Sequence, residues 1–231
     1  MNSIDAVLLV AHVGAGAVGL LVFWLPVFVR KGGHFHRQSG RLYVNAMWVV
    51  IGTAFLLSII NLVKGETVMA AFLGFLTLLT GKSLWMGVAI LKNKRATTPH
   101  YERTLLVLNG ANVVAGLALI GFGLSLPTKD GAILMYVFGF LGVINFREVV
   151  SQLRGSLHSG QNWLHGHIEG MGISGIAAHT AFLAFGANRL IGDLFQSYWS
   201  MLPWLAPTVF GTILIRLAVR KYAPKTATAT V

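Results

Sequence analysis

The stretch TLLVLNGANVVAGLALIGFGLSL, residues 104–126, contains no charged side chain. As an α-helix it reaches about 35 Å, enough to cross a hydrocarbon layer of about 30 Å. Its flanks differ in kind, with Glu102 and Arg103 before it and Lys129 and Asp130 after it. An uncharged run of this length between charged flanks reads as a membrane span. Working outward, six more stretches repeat the pattern, at approximately 6–29, 42–63, 68–91, 131–147, 163–187 and 201–219. Away from the ends of these stretches the only Lys or Arg is Lys82. The expected fold is therefore all-α, a polytopic transmembrane helix bundle of about seven spans, with residues 1–231 forming a single integral membrane domain.

The basic residues orient this bundle, because Lys and Arg accumulate in short cytoplasmic loops. Alternate connections hold Arg30, Lys31, Arg37, Arg41, Lys92, Lys94, Arg95, Arg103, Arg147, Arg154, Arg216, Arg220, Lys221 and Lys225. The intervening set holds only Lys64, Lys129 and Arg189. This asymmetry places the N-terminus outside and the C-terminus inside. Residues 148–162 are too polar to span and read as an inner-surface helix or loop, while Phe195, Tyr198 and Trp199 are expected at the outer head-group boundary.

Composition narrows the function classes. With 55% hydrophobic and 11% charged residues and a mean hydropathy of +0.70, seven spans leave no room for a soluble domain. The net charge of +11 is spread over loops facing one leaflet, so the expected partners are anionic inner-leaflet lipids and not nucleic acid. No cysteine is present, which excludes disulfides, thiolate metal sites, iron–sulfur clusters and c-type haem.

Two segments carry a family resemblance. KGGHFHRQSGRLYVNAM at residues 31–47 and HIEGMGISGIAAHTAF at residues 167–182 resemble the signature of a bacterial integral membrane family catalogued as domain of unknown function 2306. Gly175 departs from the aromatic residue of that pattern. The resemblance implies about seven spans in a bacterial inner membrane, and it implies no activity.

The chemistry must come from individual residues. His12 and His179 lie inside spans one and six, about 9 Å and 12 Å from their outer ends. His165 and His179, fourteen residues apart, return to nearly the same helix face about 21 Å apart. One helix then offers an imidazole near each leaflet, the arrangement that holds two b-type haems, with His12 opposing His179 outside and His34 or His36 opposing His165 or His167 inside. A second reading uses His34, His36, His165 and Glu169 for a divalent metal in a membrane hydrolase, provided the sixth helix is unwound at Gly166. A third places Lys82 and Glu169 together in a polar cavity with Asn109, Asn112 and Asn145, as in a transporter or a proton path. Arg37 and Arg41 beside Tyr43 are candidates for a phosphate or lipid head group. The leading expectation is a haem- or metal-linked redox protein, and the alternatives are a small-molecule or proton transporter and a metal-dependent hydrolase.

Overall fold

The structure, a computed structural model, describes residues 3–127, 129–154, 163–187 and 202–222. Its elements are α1 (Ser3–Phe28), α2 (His34–Val63), α3 (Thr67–Ala89), α4 (Pro99–Ser125), α5 (Lys129–Val143), α6 (Phe146–Leu153), α7 (Trp163–Ala181) and α8 (Leu202–Tyr222). A 3-10 turn, Ile90–Lys92, prolongs α3, and a π-helical turn, Phe182–Ala187, prolongs α7. No strand occurs among the described residues. Seven helices are long and apolar enough to cross a membrane, with Ala132–Leu153 of α5 and α6 counting as one. The chain is a multi-pass, all-helical membrane protein.

The helices outrun the apolar stretches. α2 begins at His34, so most of the segment expected as a loop up to Arg41 is helical. Hydropathy marks where lipid begins, whereas a helix continues until a breaker stops it. Here the breakers are Gly32, at φ +74°, and Gly33, whose N–H donates to Arg30 O at 3.1 Å. Lys31 closes the end of α1, donating to Pro26 O at 2.8 Å and Val27 O at 2.5 Å. Partial burial, with the Lys221 ammonium nearby, holds Lys31 below the ordinary lysine range. α4 likewise begins early, with Pro99 in its first turn and the Thr98 hydroxyl accepting from the Tyr101 N–H at 3.3 Å. The fifth span, expected to end at 147, breaks at Ile144–Asn145 and resumes as α6. The rest of the expected surface segment and the three boundary aromatics lie outside the described residues.

Contacts at glycines give the relative directions. Gly19 lies against Met47 and Gly16 against Val50; Gly87 meets Met171 and Gly166 meets Ile90; Gly172 meets Ile215 and Gly211 meets Ile176. In each case an advance along one helix is a retreat along the other, so neighbours run antiparallel. The ends of α1, α3, α6 and α8 and the starts of α2, α4 and α7 thus share what we call the basic end, because the arginines and lysines of the basic connections gather there. At the opposite end, Lys64 pairs with the buried Asp5, tying α2 to α1.

The packing is that of a protein whose solvent is lipid. Val10, Leu21, Val107, Val114, Leu124, Phe210 and Leu217 face outward, each well over half exposed or close to it. Buried positions include Thr53, Thr80, Lys82, Ser83, Asn109, Asn112, Asn145, Ser174 and Thr180. With no hydrophobic drive between helices in lipid, close backbone approach and polar contacts hold the bundle. One aromatic-rich cluster, Phe72, Phe75, Leu119, Met135 and Phe138, joins α3 to α4 and α5. A second, Tyr43, Met47, Ile51 and Leu84, joins α2 and α3 to α1 and α7. α3 belongs to both and is the central span.

Candidate functional site

Where α3 crosses α7, two glycines meet. A Cβ at Gly170 would stand 2.5 Å from Gly87 N and 2.6 Å from both Gly87 Cα and Ser83 O. This contact brings the Gly87 carbonyl to His167, whose Nδ1 lies 2.7 Å from Gly87 O. Across from it on α2, His36 Nδ1 lies 3.1 Å from Pro26 O in the last turn of α1. The two imidazoles face each other with ring centroids 6.3 Å apart and planes inclined by 66°. A carbonyl oxygen only accepts, so each Nδ1 carries a proton, and Nε2 is the ring nitrogen left without a backbone partner. Four helices thus fix two imidazoles at the basic end, each with its Nδ1–H directed at a backbone carbonyl.

The other histidines do not join them. His165 Nε2 lies 3.8 Å from Glu169 Oε2, one turn along α7, and both side chains are about half exposed. His34 is exposed beside Phe35. Among the described residues no three His, Asp or Glu side chains gather around one ion position. The expected set of His34, His36, His165 and Glu169 is therefore not assembled. The reason is local: α7 is regular from Trp163, Gly166 is helical and packed on Ile90, and His165 and His167 consequently point about 200° apart.

The outer haem pair fails for a related reason. His12 Nδ1 is 2.9 Å from Thr53 Oγ1 on α2. His179 is held by Gly175 O, 2.7 Å from Nδ1, and by Trp24, whose indole N–H donates to Nε2 at 3.2 Å. Its one lone pair is thereby occupied. Its ring packs edge-on against Phe23 and Trp24, and Trp24 is twelve residues, about 18 Å along α1, from His12. Matching depths gave no information on azimuth or on where α7 crosses α1.

Lys82 also has a partner other than the expected one. Its ammonium, in a residue only 7% exposed, donates to Asn145 Oδ1 at 2.6 Å and makes no ion pair with Glu169. Asn145 sits in the break between α5 and α6, and its Nδ2 donates to Leu141 O at 2.9 Å and Gly142 O at 3.1 Å. The side chain thus closes the end of α5 and turns its oxygen to Lys82. Glu148 and Glu169 act on the ammonium as more distant counter-charges. Asn109 Nδ2 donates to Gln152 Oε1 at 3.1 Å, and Gln152 Nε2 to Glu102 O at 3.3 Å. Asn112 Nδ2 donates to Leu108 O at 2.8 Å. The side-chain oxygens of Asn109 and Asn112 are buried with no hydrogen-bond partner.

Tyr43 parts company with Arg37 and Arg41. Its hydroxyl meets Ser174 Oγ at 2.9 Å in the interior, while both arginines are exposed and Arg41 Nε donates weakly to Arg37 O at 3.4 Å. Two residues of helix, about 200°, separate Tyr43 from Arg41. Only the arginines remain available to a phosphate. Gln152 and the Tyr43–Ser174 bond escape a sequence reading, since nothing in spacing alone pairs them. Tyr43→Phe is expected to lower stability by about 1–2 kcal/mol, because Ser174 keeps its bond to Met171 O at 2.8 Å. A thermal melt in detergent measures this, and an unchanged midpoint would refute the bond's contribution.

No family model, curated protein or solved structure matches the chain. The residues themselves carry the functional argument.

Proposed function

We propose that this is a seven-span protein of a bacterial inner membrane, with the N-terminus outside, and that it holds a redox metal between His36 and His167 at the cytoplasmic end. The carrying observation is the pair of imidazoles 6.3 Å apart with both Nδ1 atoms tied to backbone carbonyls. That tie is the usual support of a metal-bound histidine, since it fixes the tautomer and raises the basicity of Nε2. Two metal–nitrogen bonds of about 2 Å, one to each Nε2, fit the ring separation observed. The donor set suits iron as haem b, or a bare ion that accepts imidazole. Gly40, one turn beyond His36, has no atom within 4 Å of a would-be Cβ, so α2 is open there. When bound, such a centre supplies one-electron transfer.

The chain's own residues position and bias the site. Gly87 and Pro26 carbonyls orient the two rings, and the Gly87–Gly170 contact sets their distance. Exposed Arg37 and Arg41, on the helix of His36, offer cations to anionic groups of a bound ligand or to lipid phosphates. The two segments that resemble the bacterial membrane family supply His36 and His167 respectively, and the Tyr43–Ser174 bond joins the same segments. The hydrolase reading has less support, because zinc hydrolases use a third protein ligand and the described residues gather none.

Purified protein is expected to carry either a Soret band with sharp reduced α-bands or about one equivalent of a bare transition metal; the spectrum and metal analysis separate the two. His36→Ala and His167→Ala should each remove it, while His12→Ala and His179→Ala should not. A preparation that is colourless and metal-free, and stays so after haem and metal addition, defeats the redox reading. Orientation is tested separately. A reporter active only in the periplasm should be silent when fused after Val231 and active when inserted after Pro127; the reverse pattern would overturn it.

A further inference from the structure

Where α1 and α8 end, the chain gathers cations without carboxylates. Arg30 and Lys31 follow α1, and Arg216, Arg220 and Lys221 lie in the last two turns of α8; all five are exposed. Residues 6–65 contain no Asp or Glu, and none follows Asp193. Glu169, the acidic residue of α7, is engaged with His165, and among the described residues no ion pair joins any of the five cations to a carboxylate.

Tertiary structure draws these charges together. α1 and α8 come from opposite ends of the sequence, yet both pack on one strip of α7, Phe23 against Gly175 and Ile215 against Gly172. Their ends meet. Lys31 Nζ lies 6.0 Å from the centre of the Tyr222 ring and Lys221 Nζ lies 5.4 Å from it, so two ammoniums share one ring. The Lys221 charge is felt at Lys31. Lys31 is also anchored, because its ammonium donates to the Pro26 and Val27 carbonyls and has one N–H left over. Like charges held this way repel unless an anion joins them.

The surroundings define that anion. Phe28, three residues before Lys31, is 79% exposed, and Leu217, four before Lys221, is 55% exposed. Trp24 stacks on Phe28 with ring centroids 5.9 Å apart and extends the apolar surface. Cations therefore stand directly above lipid-facing side chains, and Tyr222 beside them has the amphipathic ring of the head-group boundary. A soluble anion would meet the charges alone. A phospholipid meets both, with its phosphate above its chains.

We propose that the ends of α1 and α8 form a site for one anionic phospholipid of the leaflet at the basic end, its phosphate among Lys31, Arg220 and Lys221 and its chains along Phe28 and Leu217. The lipid ties the first helix to the last. The histidine pair plays no part in this inference, and the failure of either leaves the other standing.

The test is native mass spectrometry of protein released from nanodiscs that hold equal amounts of phosphatidylcholine and phosphatidylglycerol. Phosphatidylglycerol should stay bound in preference. Lys221→Gln and Arg220→Gln should each weaken its retention about fivefold, the share of one basic residue at an anionic surface. Lys92→Gln and Arg103→Gln remove exposed charges of the same end on the side of α3 and α4, and should leave retention unchanged. All four positions are exposed, so the variants should melt with the unaltered chain. Phosphatidylglycerol that is not retained, or is held no more firmly than phosphatidylcholine, overturns the site. An equal loss in the two control variants overturns it in favour of diffuse surface charge. Inorganic phosphate is the remaining arm: if it displaces the lipid and raises the melting midpoint as much as phosphatidylglycerol does, the ligand is a free anion and the lipid is refuted.

Discussion

Gly170→Ala is expected to remove most of the folded protein from the membrane, although it adds one methyl group. The added carbon would sit 2.5–2.6 Å from Gly87 N, Gly87 Cα and Ser83 O, all backbone atoms that no rotamer change can move aside. α3 and α7 must separate, and overpacking of this kind costs about 1–3 kcal/mol or more. α3 belongs to two of the clusters that hold the bundle, so its displacement is not local. The shift also draws the Gly87 carbonyl away from His167 and frees that ring. Gly110→Ala and Gly121→Ala are the controls, since nothing lies within 4 Å of either would-be Cβ. Fluorescence-detected size exclusion and a thermal melt give the comparison. If Gly170→Ala melts with the controls, the close crossing of α3 and α7 is wrong, and with it the account of how His167 is positioned.

The second large effect lies at Lys82. Asn145→Leu removes the oxygen that receives the ammonium and the amide that closes the end of α5. A buried charge stripped of its partner costs about 3–5 kcal/mol, less whatever a change of protonation recovers. Lys82→Met leaves Asn145 Oδ1 unsatisfied and costs about 1–3 kcal/mol. The double variant carries neither charge nor orphaned oxygen there, so it should fold better than Asn145→Leu alone, with the uncapped carbonyls of α5 as the remaining loss. Glu169→Gln should be nearly neutral, because its side chain is about half exposed, its ion pair is with the half-exposed His165 at 3.8 Å, and it acts on Lys82 only from a distance; exposed pairs contribute about 0–1 kcal/mol. Damage in the double variant equal to the sum of the singles would mean that Lys82 and Asn145 do not interact. A loss in Glu169→Gln as large as in Lys82→Met would restore the direct carboxylate pairing that the geometry opposes.

The Lys82–Asn145 contact and the histidine pair occupy different layers of the bundle, one between α3 and the α5–α6 break, the other between α2 and α7. α3 lies between them and contributes to both, through Lys82 to the first and the Gly87 carbonyl to the second.

By itself the sequence determined that the chain is all-helical and crosses a membrane about seven times, because the uncharged length a bilayer demands is written in consecutive residues and needs no knowledge of neighbours. Gly170, Ser174 and Ala178, small residues at four-residue steps, mark a close-packed face on α7 in the sequence itself. Partner identity was not so written. Depth along a helix follows from counting, but meeting also requires azimuth and a crossing point, and those are set by which backbones can approach. The Gly87–Gly170 contact turned His167 toward His36, while the crossing of α1 near Phe23 gave His179 to Trp24 and kept it from His12. The unscheduled break at Ile144–Asn145 supplied Lys82 with an amide oxygen where a carboxylate had been expected. Tertiary structure alone decided these pairings, since a glycine at a crossing acts on the helix opposite it as much as on its own.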